Sequence, residues 1–372
     1  MEKFKIVCPC LFGLESVLSG EMKRLPFENV QSENGKVSFV GGFDEVACAN
    51  LNLRTAERVL IEVASFEAKS FEELFEGTRK APWEEFICVD EAFPVKGWSL
   101  NSRLHSVPDC QSIIKKAVVR RLESKYGISI FAETGAKHQI QFSILKDKVS
   151  ICLDTSGEGL HKRGYRKNSN AAPIKETLAA GILDIARVKG DSTVFDPMCG
   201  SGTFLIESFL RATKTAPGLR RYFAIENWKC VDKKVFQTAR AQALEKIDHS
   251  VAFKGFGSDI DSEAVRLTLE NSKKANAQNR IFVTQTDVKD LSFADKNGIV
   301  ICNPPYGERL SDIRSAEQLY RQMGRVFEKH SGLNYYIISP HEEFESLFGR
   351  KADKKRKLYN GMIKCNLYQY FL

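Results

Sequence analysis

From Ala172 onward the chain repeats one pattern that leaves little freedom in its fold. Short, strongly apolar runs recur between amphipathic stretches: TVFD (193–196), GFGSDID (255–261), IFVTQ (281–285), GIVICN (298–303) and YYIIS (335–339). Runs that are apolar throughout, rather than alternating, imply strands buried on both faces. The helical stretches between them imply a parallel sheet covered on each side, an α/β fold. The final NGMIKCNLYQYF, with Asn360-Gly361 as its turn, reads as an antiparallel hairpin closing that sheet.

The first 66 residues follow a different rule. IVCPC (6–10), KVSFV (36–40) and ERVLIEVASF (57–66) read as strands, and a short strand is expected near Glu28–Gln31. GLESVLSGEMKRL (13–25) and FDEVACANLN (43–52) read as helices, so residues 1–66 fit a ferredoxin-like layer. A second small α/β unit is expected over 67–156. Pro108 and Asp109 open its helix, which runs to Lys125 with Ile114, Val118 and Leu122 on one face and Ile113 and Ala117 widening the stripe. Lys115, Lys116, Arg120 and Arg121 lie off that face, where solvation competes with binding as their role. HQIQFSIL (138–145) and KVSICLD (148–154) alternate as an antiparallel pair around Lys146-Asp147. Polar, glycine-bearing residues 157–171 read as a linker ahead of a catalytic domain over 172–372.

Composition excludes several classes. Hydrophobic content of 43% and charged content of 27% are those of a globular chain, and no apolar run approaches the ~20 residues a membrane span requires. The N-terminal MEKFKIVCPCLFGLES lacks a small-residue cleavage site, so a cytoplasmic location is expected. Ten scattered cysteines without a CxxC pair argue for reduced, buried thiols and against a disulfide framework or a metal. The net charge of +8 is concentrated: RKADKKRK (350–357) holds six basic side chains and one acid, and HKRGYRK (161–167) holds four around a tyrosine. Such clusters suit a phosphate backbone, although a solvated loop would look similar.

Four motifs carry chemistry. In TVFDPMCGSGTFLIE (193–207) a strand ends at Asp196, a Cys199-Gly200-Ser201-Gly202 turn follows, and a helix begins. Glycines let a ligand approach the backbone, and the helix start supplies N–H groups. The spacing matches neither GxGxxG nor a P-loop, and an acid before the glycines repels phosphate while favouring an ammonium or sulfonium. In GSDIDSEAV (257–265), Asp259 is placed to hold ribose hydroxyls, and Asp261 reads as a helix cap. In TQTDVKDL (284–291), Asp287 and the Val288 N–H are placed for an adenine edge. In VICNPPYGERL (300–310) a buried strand stops at Asn303, Pro304, Pro305 and Tyr306, a rigid ending on the same sheet edge.

Together DPMCGSG, SDID, TDV and NPPYG resemble the motif set of class I S-adenosylmethionine-dependent methyltransferases that modify exocyclic amino groups. HKRGYR (161–166), APIKETLAAGIL (172–183), APGLRR (216–221) and NPPYGERL are similar to the THUMP-containing rRNA and tRNA guanine-N2 methyltransferases, in particular the bacterial large-subunit (23S) enzymes often labelled N6-adenine DNA methylases. The resemblance covers nearly the whole chain. It implies a Rossmann-like domain with a mostly parallel seven-stranded sheet and closing hairpin, preceded by ferredoxin-like and THUMP α+β domains.

The same resemblance implies a mechanism and its residues. S-adenosylmethionine would be the cofactor and S-adenosylhomocysteine its product. Asp196, Pro197, Met198 and the Cys199–Gly202 turn would meet the methionine portion, Asp259 with Ile260 the ribose, and Asp287 with Val288 the adenine. Pro173 and Thr177 would line the pocket, with Asn303 shared between cofactor and target. The Asn303 side-chain oxygen and the Pro304 carbonyl would accept from the target amino group, Pro305 would stiffen the loop, and Tyr306 would stack on an extruded base. No metal is required. RNA, as 23S rRNA or a large-subunit assembly intermediate, would lie across Lys115, Lys116, Arg120, Lys162, Arg163, Arg166, Arg309, Lys354, Lys355 and Arg356. A tRNA guanine-N2 enzyme, an adenine-N6 DNA methyltransferase and a non-catalytic RNA-binding assembly factor are the alternatives; a protein-glutamine methyltransferase fits the basic N-terminal half poorly.

Overall fold

The computed structural model describes residues 3–166, 173–293, 297–307, 310–330 and 332–371. They form two compact units: Met1–Cys10, Ser19–Leu160 and Arg221–Gln242 make the first, and Leu11–Leu18, His161–Arg220 and Ala243–Leu372 the second.

The chain begins β1 (Phe4–Pro9), α1 (Glu15–Lys23), β2 (Glu28–Glu33), β3 (Lys36–Gly41), α2 (Phe43–Asn52) and β4 (Leu60–Glu67). It continues α3 (Phe71–Arg79), β5 (Val95–Leu100), α4 (Val107–Tyr126), β6 (Gln139–Leu145) and β7 (Lys148–Asp154). All seven strands share one sheet in the order β2-β3-β1-β4-β7-β6-β5. The βαββαβ start with β4-β1-β3-β2 adjacency is the ferredoxin-like arrangement. Among the described residues of this sheet, β5 and β6 are the one strand pair that runs parallel.

Helix α4 buries Ile114, Ala117, Val118 and Leu122 as its spacing predicts, adds Cys110, leaves Ile113 only half-buried, and ends at left-handed Gly127. The β6–β7 hairpin turns at Lys146 (φ 51°) and Asp147 (φ 63°), both left-handed as a type I′ turn requires. Two elements go beyond the sequence reading. Helix α3 has a capping box, with Ser70 and Glu73 bonding each other's backbone, and its S-x-x-E signature was available in the sequence. Strand β5 (VKGWSL) is half exposed and interrupted by Gly97, so it lacks an apolar signature.

The remaining elements are α5 (Glu176–Ile185), β8 (Thr193–Asp196), α6 (Thr203–Ala212), α7 (Lys233–Glu245), β9 (Lys254–Asp259), α8 (Ser262–Lys274) and β10 (Ile281–Gln285). Then come β11 (Gly298–Cys302), α9 (Leu310–Glu328), β12 (Leu333–Ser339), α10 (Phe344–Phe348), β13 (Lys354–Asn360) and β14 (Ile363–Tyr370). The sheet of the second unit runs β10-β9-β8-β11-β12-β14-β13. It is parallel except at β14, which is antiparallel to both neighbours.

The apolar runs of β8, β11 and β12 now have a cause, whereas β10, at the sheet edge, is largely exposed, Phe282 included, and departs from the expected double burial. Successive strand residues enter different clusters: Val194, Ile301, Tyr336 and Ile338 pack with Leu178, Ile182 and Leu205 of α5 and α6. Phe195, Val300, Cys302, Tyr335 and Ile337 pack with Tyr320, Met323 and Phe344 of α9 and α10. A strand buried on both faces cannot alternate. The closing hairpin turns one residue later than its sequence suggests. Asn360 pairs with Ile363, so Gly361 and Met362 are the central residues. Gly361 alone takes positive φ (63°), which fits a type II′ turn, whereas Asn360-Gly361 as a type I′ turn would require both. Among the described residues, no helix is long and apolar enough to cross a membrane.

Candidate active site

In the second unit β8 connects outward to β9 and β10, while β11 leads to β12 on its other side. Order reverses between β8 and β11, and the carboxyl ends of such strands form a crevice in open α/β sheets. A cavity of ≈ 780 Å³ opens there.

Its floor is set by short side chains at strand ends. Asp196 closes β8 and is 2% exposed. Its Oδ1 accepts from the Met198 N–H at 3.3 Å. Burial, with a smaller contribution from the charge on Asp259, pushes the Asp196 carboxyl well above the usual range. A cation entering the cavity would relieve that, so the site favours a positively charged group. Asp259 ends β9, and its two oxygens accept from the Gly200 N–H (2.9 Å) and the Asp261 N–H (3.1 Å). Asp261 caps α8 by accepting from the Glu263 N–H.

The 199–202 turn is held from below by α8. Thr268 Oγ1 donates to the Gly200 carbonyl at 2.9 Å, and Asn271 Nδ2 to the Ser201 carbonyl at 3.0 Å. Gly202 has φ +80°, and a Cβ there would come within 2.7 Å of Thr268 Cγ2, so glycine is required on both counts. Asp287 caps the short turn that follows β10, accepts from the Lys289 N–H, and pairs with the Lys289 ammonium at 3.1 Å. Pro173, Pro197, Met198, Cys199, Ser201 and Ile260 line the cavity, as do Asp287 and Val288. Thr177 does not: it is fully buried within α5. Gly202 does not line the cavity either.

The opposite wall is the loop after β11, where Asn303, Pro304, Pro305 and Tyr306 all line the cavity. Two tyrosines fix it. Tyr320 of α9 donates its hydroxyl to the Pro305 carbonyl at 2.8 Å. Tyr306 donates to Asn303 Oδ1 at 2.5 Å and accepts from Asn360 Nδ2 at 3.3 Å. Its ring is partly buried against the α5–α6 cluster. Gly307 (φ +74°) has no room for a Cβ, which would fall 2.6 Å from Ile313 Cα. Cys199 and Cys302 are buried thiols whose pKa values desolvation pushes up, so both stay protonated and apolar in character.

The basic candidates divide by environment. Arg166 donates to the Ile174 carbonyl and Thr203 Oγ1, both at 3.0 Å, and pairs with Glu176 at 2.8 Å. It ties the start of α5 to the start of α6, two segments of the cavity wall. Burial holds the Glu176 carboxyl up at about 7 despite the Arg166 charge. Arg163 is 3% exposed and lies 3.5 Å from Glu207, to which Tyr165 also donates at 3.0 Å. The HKRGYR segment thus turns Arg163, Tyr165 and Arg166 inward and leaves Lys162 exposed.

Lys115 pairs with Glu133 and lies 3.5 Å over the Phe93 ring, whereas Lys116 is exposed and Arg120 pairs with Glu123 at the surface. In the C-terminal run, Lys355 pairs with Glu345 at 2.7 Å, and Arg356 donates to the Gly13 carbonyl and Ser16 Oγ. Lys354 is exposed. Arg309 lies outside the described residues. Long basic side chains find acids and carbonyls that are distant in sequence, which clustering alone does not reveal. Sequence reasoning also missed Thr268, Asn271 and Tyr320, which carry no local motif, and saw Asn360 only as a turn residue rather than as part of the site.

Three family models match the chain: an RlmL ferredoxin-like domain over 5–60, a THUMP domain over 68–154, and an RMKL-like methyltransferase domain over 163–369. YpsC of Bacillus subtilis, whose name carries a provisional RNA methyltransferase assignment, is 43% identical over 100% of this chain and 97% of its own length. The ribosomal RNA large subunit methyltransferase K/L of Psychromonas ingrahamii is 33% identical over 97% of this chain but 49% of its own length, so the chain spans about half of that relative. Among solved structures, a possible methylase from Clostridium difficile superposes with a TM-score of 0.96 at 43% identity, covering 99% of this chain and 98% of that one. SMU.472, complexed with SAH, superposes with a TM-score of 0.95 at 38% identity, covering 100% and 98%. With its catalytic sheet, its ferredoxin-like and THUMP regions and full-length relatives in agreement, the chain belongs to the RMKL-like methyltransferase family.

Proposed function

We propose that this chain methylates the exocyclic N2 of a guanine in 23S rRNA, free or within a large-subunit assembly intermediate, using S-adenosylmethionine in the cytoplasm. The observation carrying this reading is the meeting of three strand-end groups, Asp196, Asp259 and Asn303, in one cavity of ≈ 780 Å³. The donor set fits the cofactor. Asp196 is a buried carboxyl short of positive partners, Asp259 presents a carboxylate for vicinal hydroxyls, and Asp287 with Val288 offers an acceptor and an N–H for an adenine edge.

When bound, S-adenosylmethionine supplies an electrophilic methyl group on a sulfonium. The guanine amine is a poor nucleophile because its lone pair is delocalised into the ring. Asn303 Oδ1 and the Pro304 carbonyl would accept its two N–H bonds, localising the lone pair and aiming it at the methyl group. Proline at 304 and 305 removes backbone freedom, and Tyr320 anchors the neighbouring Pro305 carbonyl, so the loop that carries the acceptors is held in place before the target arrives. RNA would be held by exposed cations such as Lys116, Lys162 and Lys354, with the THUMP region recognising shape and phosphate. The family relatives named for large-subunit rRNA support this substrate.

The test is labelled-methyl transfer to rRNA, tRNA and DNA from cells with and without the gene, followed by digestion to nucleosides. N2-methylguanosine in 23S rRNA is the expected product. N6-methyladenine, or label confined to tRNA or DNA, would overturn the assignment.

A further inference from the structure

We propose that the Tyr306 hydroxyl and Asn360 are positioning residues that set the amide orientation of Asn303. The inference rests on the methyltransfer reading of Asn303. The observation is a chain of hydrogen bonds: Asn360 Nδ2 donates to Tyr306 Oη at 3.3 Å, and Tyr306 donates to Asn303 Oδ1 at 2.5 Å. All three residues line the cavity.

An asparagine amide has two faces of nearly equal shape and opposite hydrogen-bonding sense. A catalytic acceptor must present its oxygen, because the flipped amide would offer N–H to an amine that also carries N–H. A hydroxyl whose proton is committed to Asn303 selects the oxygen side. The hydroxyl has one proton; Asn360 Nδ2 at 3.3 Å and the Cys365 thiol at 3.8 Å both direct donors at its oxygen, so that proton goes to Asn303. Oδ1 keeps a second lone pair for the target amine. Desolvation holds the Tyr306 phenol well above its ordinary pKa, so it remains a donor throughout the working pH range. Asn360 ends β13, its place fixed by its pairing with Ile363 across the closing hairpin. The hairpin therefore supports the Asn303–Tyr306 loop from a distance of 54 residues in sequence.

This assigns Tyr306 a role different from a stacking platform, and the two separate under mutation. The assay is single-turnover and steady-state methyl transfer to 23S rRNA from cells lacking the gene. Tyr306→Phe keeps the ring and is expected to lower kcat roughly 100-fold, the scale of a misaligned reacting group, with KM for RNA and affinity for S-adenosylhomocysteine nearly unchanged. Asn360→Ala is expected to lower kcat about tenfold, one hydrogen bond's worth. Asn360→Asp is expected to be worse than Asn360→Ala, because a carboxylate accepts the phenolic proton and draws it away from Asn303. In the Tyr306→Phe background both Asn360 changes should have no further effect.

Wild-type kcat in Tyr306→Phe would overturn the proposal in favour of stacking. Equal effects of Asn360→Ala and Asn360→Asp, or losses that follow thermal stability and cofactor-product affinity, would overturn it in favour of a structural role. If the wild-type protein transfers no methyl group to this RNA, the functional reading itself fails, and this inference with it.

Discussion

The strand-end groups Asp196, Asp259 and Asn303 and the basic cluster 161–166 both stand out in the sequence, yet the structure treats them differently. The first three converge on one cavity, each within one residue of a strand terminus. The second splits, with Lys162 exposed and Arg163 and Arg166 turned inward onto Glu207 and Glu176. A short side chain at the end of a parallel strand goes where the backbone goes, and the backbone is set by the sheet. A long basic side chain chooses among acids and carbonyls that only tertiary folding brings near. Position is thus inherited in one case and negotiated in the other.

Four measurements would break or sharpen that contrast. Asn303→Ala should reduce methyl transfer by roughly 10²- to 10³-fold while leaving S-adenosylhomocysteine affinity, measured by calorimetry, nearly intact. Loss of both together would mean that Asn303 belongs to the cofactor rather than the target. Arg166→Ala leaves Glu176 buried without its partner and should cost about 3 kcal/mol of stability, read as a fall in Tm. An unchanged Tm with weakened RNA binding would return Arg166 to the RNA surface. Lys354→Ala should do the reverse, leaving Tm unchanged while lowering the salt dependence of RNA affinity by about one unit of slope.

The smallest effect concerns Glu176. Its carboxyl is raised from an ordinary 4.5 to about 7, so the folded state binds more protons than the unfolded chain across that interval. The resulting stabilisation is complete below the unfolded pKa and is lost as pH rises through about 7. Glu176→Gln should flatten this part of the stability–pH curve, measured by urea unfolding between those limits. An unchanged curve would show that Arg166 fully offsets the burial.

The same distinction explains what was legible. The doubly covered sheet, its motif-bearing strand ends and the amphipathic face of α4 follow from periodicity, which is local. The α3 helix was equally legible through its Ser70–Glu73 box. Asn360 was not, because its importance comes from Tyr306, which reaches it only after β13 and β14 have paired. Thr268 and Asn271 likewise matter through carbonyls of a turn about 70 residues away. The type II′ turn differed from its sequence reading for a local reason: Asn-Gly is a strong hairpin signal, but β13 extends far enough to take Asn360 into the ladder.

Pairing of β4 with β7 joins seven residues of one strand to seven of the other, making the ferredoxin-like and THUMP regions a single sheet. A chain severed after Glu67 would leave two bare interior edges, each able to capture a neighbouring polypeptide. The two family segments are therefore separable as text but not as objects. Shuffling the THUMP region alone into another protein would have to supply a replacement strand, or inherit a liability to aggregate.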